Sequence, residues 1–232
     1  MTNLPNHIAV IPDGNRRWAK ARGLQPWIGH EHGANALKKI TKDIFGAGIK
    51  YFTFWASSED NIKKRDPLEV AVLFKLVKKG FSDFKKDDYI HKNEIRVDFL
   101  GSWEKMFPED LKEVLYKVKE ETKNYTRYFL TFLMAYDGQV EMLEAVRKIS
   151  KNNQETEITK DILKKNLFTS QLPPVDLVVR TGGEPHWSAG FMMWDVADSQ
   201  LYFTETLWPD FNKKELDIAL SNYTATERRL GA

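Results

Sequence analysis

The sequence predicts one α/β domain over residues 1–232, in which helices flank a mostly parallel central sheet. Three observations support this prediction. Short apolar segments of strand length alternate with longer segments whose apolar residues recur at helical spacing. The length of 232 residues suits a single α/β domain. A composition of 42% hydrophobic and 29% charged residues is typical of a chain that buries a core.

Each element follows from a local pattern. Strands are predicted where short apolar runs are bounded by turn residues, at 7–12, 51–55, 95–100, 127–136 and 177–180. Helices are predicted where apolar residues share one face, at 16–22, 34–46, 68–84, 111–118, 140–149 and 213–225. The polar stretch 151–157 is predicted to be a surface loop. Because βα units repeat without an internal linker, the chain is treated as one unit.

Charge and composition exclude several classes of function. The formal net charge is +2, so no global field favours nucleic acid, and any anion site must be local. The chain has no cysteine, which excludes disulfides and thiolate chemistry. No secretory signal is evident, and no apolar run reaches the ~20 residues that a membrane-spanning helix needs. These features predict a cytoplasmic protein that contacts membranes only peripherally.

Residues suited to phosphate and metal chemistry follow three of the predicted strands. Ligands of an open parallel sheet bind beyond the carboxyl ends of its strands, so these positions are the first candidates. The segments are PDGNRRW at 12–18, SSEDNIKKR at 57–65 and RTGGE at 180–184. Each combines small residues with cations or carboxylates.

The chemistry of these segments points to a diphosphate site. Gly14 and Asn15 can expose main-chain N–H groups to an anion, and arginines bind phosphate oxygens in pairs. Asp13 offers the carboxylate oxygen that Mg²⁺ prefers. Taken alone, an Asp-Gly-Asn sequence is more typical of an ordinary turn, and an Arg-Arg pair is more typical of a solvated helix face.

Taken together and in this order, the motifs closely resemble the cis-prenyltransferase family. The resemblance spans nearly the whole chain. It is carried by HIAVIPDGNRRWA at 7–19, the glycines at 29 and 33, the histidine at 30, the segments 57–65 and 176–184, LYFT at 201–204 and LWPDF at 207–211.

The resemblance implies a Mg²⁺-dependent enzyme that condenses isopentenyl diphosphate with an allylic prenyl diphosphate and releases pyrophosphate. It further implies a homodimer with an apolar tunnel for the prenyl chain. Asp13 would hold the metal, and the allylic diphosphate would be surrounded by Gly14, Asn15, Arg16, Arg17 and His30. Trp18, Glu59 and Arg65 belong to the matching motifs and are expected beside the substrates.

By the same resemblance, Asn61 and Ser57 or Ser58 would lie near the site of proton loss. Arg180, His186 and Ser188 would face isopentenyl diphosphate. The residues at 229–231 match a tail that completes the neighbouring site in a dimer. Four aromatic residues are candidates for the tunnel wall, although such residues more often form an ordinary core: Phe81, Phe84, Phe129 and Phe132.

Several positions depart from the family pattern. His186 stands where most members carry arginine, and one extra residue follows Ser188. Gln200 stands where a glutamate usually supplies a second metal contact across the dimer, and a neutral amide is a poorer Mg²⁺ ligand. Asp195, Asp198 or Glu205 could substitute, or the metal could rest on Asp13, diphosphate and water. Upstream of His30, proline at position 26 replaces the usual arginine.

Two other interpretations remain open on the sequence. The departures at His186 and Gln200 are compatible with a relative that makes a short or irregularly joined isoprenoid diphosphate. They are also compatible with a non-catalytic subunit that works beside another family member. The retained Asp13 favours an active enzyme, because a subunit without catalysis has no need of that carboxylate.

Overall fold

The computed structural model describes residues 4–82, 88–152 and 157–225. The tail at 229–231, Phe84 and most of the predicted loop at 151–157 lie outside these ranges. The described residues form one six-stranded sheet, and every neighbouring pair of strands is parallel. The predicted α/β architecture is therefore confirmed.

The sheet places β1 and β2 at its centre. The strands are β1 (His7–Ile11), β2 (Tyr51–Trp55), β3 (Ile95–Leu100), β4 (Tyr128–Leu133), β5 (Leu177–Arg180) and β6 (Gln200–Phe203). Their order across the sheet is β3-β4-β2-β1-β5-β6. The chain leaves β1 towards β2 on one side and later returns to pair β5 on the other. This reversal creates a crevice at the carboxyl end of β1, where ligands of such sheets bind.

Ten α-helices surround the strands in the described part of the chain. They are α1 (Asn15–Lys20), α2 (Pro26–Gly46), α3 (Glu59–Lys64), α4 (Pro67–Ser82), α5 (Asp88–Lys92), α6 (Trp103–Met106), α7 (Glu109–Thr122), α8 (Gly138–Asn152), α9 (Lys160–Asn166) and α10 (Lys213–Ala225). A short 3-10 helix follows β6 at Trp208–Asp210. No helix in the described ranges combines the length and hydrophobicity needed to cross a membrane.

The sheet separates two hydrophobic cores because alternate strand residues face opposite sides. The larger core contains Ile8, Phe52 and Phe132 and packs against α2, α4, α7 and α10. The smaller core contains Ala9, Trp55 and Leu133 and packs against the segment around Phe191 and Met192. Central strands are buried on both faces, so they read as continuous apolar runs in the sequence.

Candidate active site

Asp13 lies in the turn between β1 and α1, at the carboxyl edge of the sheet. Its main-chain carbonyl accepts hydrogen bonds from the Thr181 hydroxyl at 2.7 Å and from the Trp208 N–H at 3.0 Å. Gly14 follows with a φ of 112°, and a Cβ atom there would lie 2.7 Å from the Leu207 side chain. Only glycine fits this position, so the turn is fixed by its surroundings.

Two guanidinium groups flank the carboxylate of Asp13. Arg17 Nη2 lies 3.3 Å from Oδ1, and Arg180 Nη2 lies 3.2 Å from Oδ2. Glu184 contacts the same two arginines at 3.6 Å and 3.5 Å. Carboxylates and guanidinium groups therefore alternate at the end of β1 and β5. Such a cluster can bind phosphate oxygens through the arginines and a hard cation through the carboxylates.

Arg180 also organises the segment that follows β5. Its side chain is only 3% exposed, and its Nη1 donates at 2.6 Å to both the His186 carbonyl oxygen and the Ser188 hydroxyl. The His186 Nε2 lies 3.3 Å from Ser188 Oγ and 3.4 Å from Arg180 Nη2. The structure thus brings together the three residues predicted to face isopentenyl diphosphate.

A second group of basic side chains gathers around Glu69, a buried residue in the first turn of α4. Its Oε1 lies 3.5 Å from Arg65 Nη1, 3.6 Å from His30 Nε2 and 3.7 Å from Arg16 Nε. Burial, together with Arg65 and Arg16, lowers the pKa of His30 to about 4. The histidine is therefore neutral at physiological pH, and the two arginines share a single carboxylate.

Ser58 and Asn61 are joined by the cap of α3. The Asn61 N–H donates to the Ser58 hydroxyl at 3.0 Å, and the Ser58 N–H donates to the Asn61 side-chain oxygen at 3.4 Å. This reciprocal capping fixes both side chains at the helix start. The Ser57 hydroxyl accepts a hydrogen bond from the Ala135 N–H at 2.9 Å. All three predicted polar residues line the cavity described next.

A cavity of about 580 Å³ opens between the sheet and helices α2 and α4. The part next to Asp13, here called the mouth, is lined by polar side chains, and the rest, the interior, is lined mainly by apolar ones, with Lys38, Thr41 and Lys42 of α2 as exceptions. The mouth is lined by Asp13, Asn15, His30, Ser57, Ser58, Asn61, Arg65, Arg180 and Ser188. The interior is lined by Leu37, Phe54, Phe74, Val77, Phe81, Leu130 and Phe132. Phe129 stacks on Tyr51 at 4.7 Å instead of lining the cavity, so it was wrongly included among the tunnel candidates.

An adjoining depression shares Asp13, Asn15, His30 and Arg65 with the cavity mouth and adds Gly14, Arg16, Arg17 and Lys20. Three atoms of the described site residues are buried without a hydrogen-bond partner: Asn15 Oδ1, His30 Nε2 and Arg180 Nε. Buried polar atoms are normally paired, so the two nitrogens are candidate donors to a bound ligand. The excess of basic side chains indicates that the ligand is an anion.

Three predicted substrate-binding residues line neither the cavity nor the depression: Trp18, Glu59 and His186, of which His186 stays in contact with Arg180 and Ser188. Trp18 packs between α1 and the 3-10 helix, and its indole N–H donates to Asp210 at 2.7 Å. Glu59 accepts a hydrogen bond from the Ser102 hydroxyl at 2.7 Å and forms an ion pair with Lys63. Trp18 and Glu59 lie beside site residues in the sequence, but helical geometry turns their side chains to another face.

Gln200 lies at the amino end of β6, paired with Leu177 at the start of β5. Asp13 lies beyond the opposite end of the sheet, so one chain does not bring these two residues together. The Gln200 amide instead donates to the Tyr223 carbonyl at 3.4 Å. Of the predicted substitutes, Asp195 is buried against Lys164, and Asp198 is exposed near the start of β6. Only Glu205 approaches the site.

The described residues contain no cluster of three or more histidine, aspartate or glutamate side chains suited to hold a metal. Asp13 nevertheless offers a partly exposed carboxylate beside arginines that can hold phosphate. Mg²⁺ commonly binds through one or two carboxylates, water and substrate phosphates. The donor set therefore fits a metal that is shared with a diphosphate.

Of the acidic residues at the site, Glu69 was not predicted from the sequence, whereas Glu205 was predicted as a possible substitute metal ligand. Glu69 lies four residues after Arg65, a helical spacing that favours an ion pair and could have indicated it. Glu205 packs against Gly183, where a Cβ atom would lie 2.2 Å from its Oε2. The sequence carries no local signal for that contact.

Comparisons with known proteins agree with this geometry. The model of the family described as "Putative undecaprenyl diphosphate synthase" matches residues 11–231. An isoprenyl transferase of Fusobacterium nucleatum is 40% identical, over 99% of this chain and 96% of that protein. The tritrans,polycis-undecaprenyl-diphosphate synthase (geranylgeranyl-diphosphate specific) of Sulfurisphaera tokodaii is 35% identical, over 98% and 88%.

A solved structure shows the same fold. The lavandulyl diphosphate synthase of Lavandula x intermedia, in complex with dimethylallyl diphosphate, superposes with a TM-score of 0.92. It is 29% identical, and the match covers 99% of each chain. Family, fold and full-length relatives therefore agree: the chain belongs to the undecaprenyl diphosphate synthase family and is a prenyltransferase.

Proposed function

We propose that this enzyme condenses isopentenyl diphosphate with an allylic prenyl diphosphate, yielding a cis-prenyl diphosphate and pyrophosphate with the help of Mg²⁺. The observation that carries the proposal is the junction of an arginine-rich mouth with an apolar cavity at Asp13. A prenyl diphosphate has the same two parts, a charged head and an apolar tail. The side chains match each part.

The allylic diphosphate is assigned to the depression beside α1. Arg16, Arg17 and Arg65 supply cationic donors there, and His30 presents an unpaired buried nitrogen. Because the pKa of His30 is lowered to about 4, its neutral ring donates a hydrogen bond without adding charge. The prenyl tail then extends into the cavity between α2 and α4.

Isopentenyl diphosphate is assigned to Arg180, His186 and Ser188. The buried guanidinium of Arg180 is fixed by two hydrogen bonds of 2.6 Å, so its remaining donors are preorganised for an anion. In the reaction, C4 of isopentenyl diphosphate bonds to C1 of the allylic unit. The bond from C1 to the leaving oxygen breaks, and a proton leaves C2.

The cavity mouth provides the groups that this step needs. Arg17 and the other arginines stabilise charge on the departing pyrophosphate, and bound Mg²⁺ would add a Lewis acid held by Asp13. Ser58 and Asn61, which are fixed by their mutual cap, are assigned to the neighbourhood of proton loss. Apolar walls exclude water that would trap a carbocation-like centre.

The proposal is tested by incubating purified protein with labelled isopentenyl diphosphate, Mg²⁺ and dimethylallyl, geranyl, farnesyl or geranylgeranyl diphosphate in turn. Products are sized, and EDTA serves as the metal control. Asp13→Asn is expected to lose about 100-fold or more of the rate. Asp161→Asn, an exposed carboxylate in α9, is the matched control and should keep the wild-type rate. Metal-independent turnover, or a fully active Asp13→Asn variant, would overturn the proposal.

A second candidate is the formation of an irregularly joined isoprenoid diphosphate. It is favoured by the neutral amide of Gln200, by His186 in place of arginine, and by the segment after Ser188, where Ala189 adopts a φ of 45°. The same assay decides between the two. A regular series of products, each longer by one five-carbon unit, eliminates this candidate.

We further propose that the enzyme is a homodimer joined at the β6 edge. Leu201 and Phe203 are exposed on this edge strand. Met193, which precedes the strand, and Ile218, in α10 after it, are also exposed. Edge strands with exposed apolar residues are suited to pairing with another surface. Analytical ultracentrifugation should give a dimer mass for the wild type and a monomer mass for Leu201→Lys. A monomeric wild type contradicts the dimer.

Peripheral membrane contact is proposed at the rim of the depression. Leu24 lines the depression and is 42% exposed, and Leu68, close in sequence to Arg65, is 77% exposed. Trp27 is also exposed, and tryptophan favours membrane interfaces. Flotation with anionic vesicles should recover the wild type but less Leu68→Gln. Equal recovery of both proteins argues against this contact.

A further inference from the structure

The loop that carries His186 and Ser188 is held in an unfavourable main-chain conformation. Ala189 and Met192 have φ values of 45° and 44°, and Gly190 lies between them with a φ of 58°. Left-handed conformations are disfavoured for residues with a Cβ atom, so surrounding contacts must stabilise them. Contacts with the surrounding residues therefore hold this loop against Arg180.

A buried tyrosine provides one of these contacts. Tyr136 follows β4 and is fully buried. Its hydroxyl oxygen accepts a hydrogen bond from the Met192 N–H at 3.1 Å and donates its own proton to Glu141 Oε2. The second Glu141 oxygen accepts from the Thr169 N–H at 2.9 Å. The hydrogen bonds form a continuous chain from Thr169 to the strained loop.

The Tyr136 hydroxyl sets the direction of this chain. Its oxygen already accepts from Met192, and burial raises its pKa well above the ordinary value, so it keeps its proton and donates to Glu141, whose own pKa is also raised by burial. Both Glu141 oxygens accept hydrogen bonds, and this side chain is 1% exposed. Linked hydrogen bonds in a buried site strengthen one another.

Further contacts reach the same loop from α8 and α9. The Gly138 N–H donates to the Ala189 carbonyl at 2.9 Å, and a Cβ atom on Gly138 would lie 1.8 Å from the Gly190 carbonyl oxygen. Lys164 in α9 forms an ion pair with Asp195, just beyond the loop. The loop is therefore bound from behind, on the side of the sheet opposite the apolar cavity.

We infer that Tyr136 and Glu141 are positioning residues for the isopentenyl diphosphate half of the site. They touch no substrate. They hold Met192, and through the short loop they keep Ser188 and His186 against Arg180. This inference rests on the proposed function, because it assigns that loop to isopentenyl diphosphate.

The test uses Tyr136→Phe and Glu141→Gln, with Tyr116→Phe and Glu144→Gln as matched controls. The Tyr116 hydroxyl donates a hydrogen bond to Glu104 at the surface, and Glu144 lies one turn from Glu141 in α8. Tyr136→Phe keeps the aromatic ring and the main-chain bond to Ser57, so it isolates the hydroxyl and covers the case in which Glu141→Gln fails to fold. Three quantities are measured: the Kd of isopentenyl diphosphate, the Kd of dimethylallyl diphosphate, and hydrogen exchange of the peptide 186–193.

The variants at 136 and 141 are expected to weaken isopentenyl diphosphate binding about tenfold or more, the equivalent of one hydrogen bond. The rate of hydrogen exchange in the peptide 186–193 should rise by a similar factor. The Kd of dimethylallyl diphosphate should change less than about twofold. The controls should match the wild type. Unchanged isopentenyl binding, or equal weakening of both ligands with faster exchange throughout the chain, would overturn the inference. A wild type that binds isopentenyl diphosphate without turnover would instead count against the proposed function alone.

Discussion

The close packing of α1 against α2 can be tested at Gly29. A Cβ atom at this position would lie 2.0 Å from the Asn15 carbonyl oxygen and 3.2 Å from the Ala19 Cβ. The first contact is with main chain, which cannot rotate away as a side chain can. Gly29→Ala therefore forces the two helices apart at the start of α1, where Asn15 lines the cavity mouth.

The size of the effect follows from this geometry. Ordinary contacts between carbon and oxygen begin at about 3.4 Å, so α1 must move by about 1.4 Å. Overpacking of this kind lowers the free energy of unfolding by about 1–3 kcal/mol. The higher helix propensity of alanine offsets about 1 kcal/mol of this loss. The net loss of stability is up to about 2 kcal/mol. A displacement of about 1 Å in a catalytic site lowers the rate about 100-fold, so activity should suffer far more than stability.

The assay compares Gly29→Ala with Gly46→Ala in the same helix. Gly46 has no atom within 4 Å of an added Cβ, so its substitution should stabilise the chain by about 0.5 kcal/mol and leave the rate unchanged. Urea unfolding gives the stability, and steady-state kinetics with isopentenyl diphosphate and the preferred primer give kcat/KM. If Gly29→Ala retains wild-type kcat/KM, the packing of α1 on α2 does not set the position of Asn15, and the reasoning fails.

Three further predictions address buried polar contacts. Burial lowers the pKa of His7 to about 4 while the unfolded chain binds protons near 6.5, so acid favours unfolding. Between pH 7.5 and 5 the wild type should lose about 2 kcal/mol more stability than His7→Asn in urea unfolding, and equal losses refute this. Arg180→Lys should lower kcat/KM for isopentenyl diphosphate about 100-fold or more, because lysine cannot replace the two fixed hydrogen bonds; an unchanged value refutes it. Trp18→Phe removes the bond to Asp210 and part of the ring that contacts His32 and Arg22, so the melting temperature should fall while the KM for both substrates stays constant; a raised primer KM would show that Trp18 acts on the substrate.

The strands that could be predicted best are β2 and β5, which are buried on both faces, and β3, an edge strand whose alternate residues are buried. β2, β3 and β5 begin and end where the apolar runs of the sequence predicted. β6 was not predicted, because it has four residues, lies at the edge and exposes alternate side chains. The helix α3 was also missed. Its start depends on the reciprocal cap between Ser58 and Asn61, and its charged residues show no apolar periodicity.

The site was predictable where motifs directly follow strands that are neighbours in the sheet. The segments after β1, β2 and β5 converge because these strands are neighbours, as expected for a parallel sheet. The direction in which a single side chain points was harder to predict from the sequence. Glu59 lies between predicted site residues, yet its carboxylate bonds Ser102 after β3. Contacts between residues far apart in the chain, such as Tyr136 with Met192, leave no trace in local patterns.

The division of the interior by the sheet makes the enzyme modular for engineering. Phe81 and Phe132 line the cavity on one face of the sheet, whereas Tyr136 holds the loop of His186 and Ser188 from the other. Substitutions in groups that share no partner usually combine additively. Libraries at cavity positions can therefore be screened for new chain lengths without re-optimising diphosphate recognition, and the best variants from each face can be combined in one step.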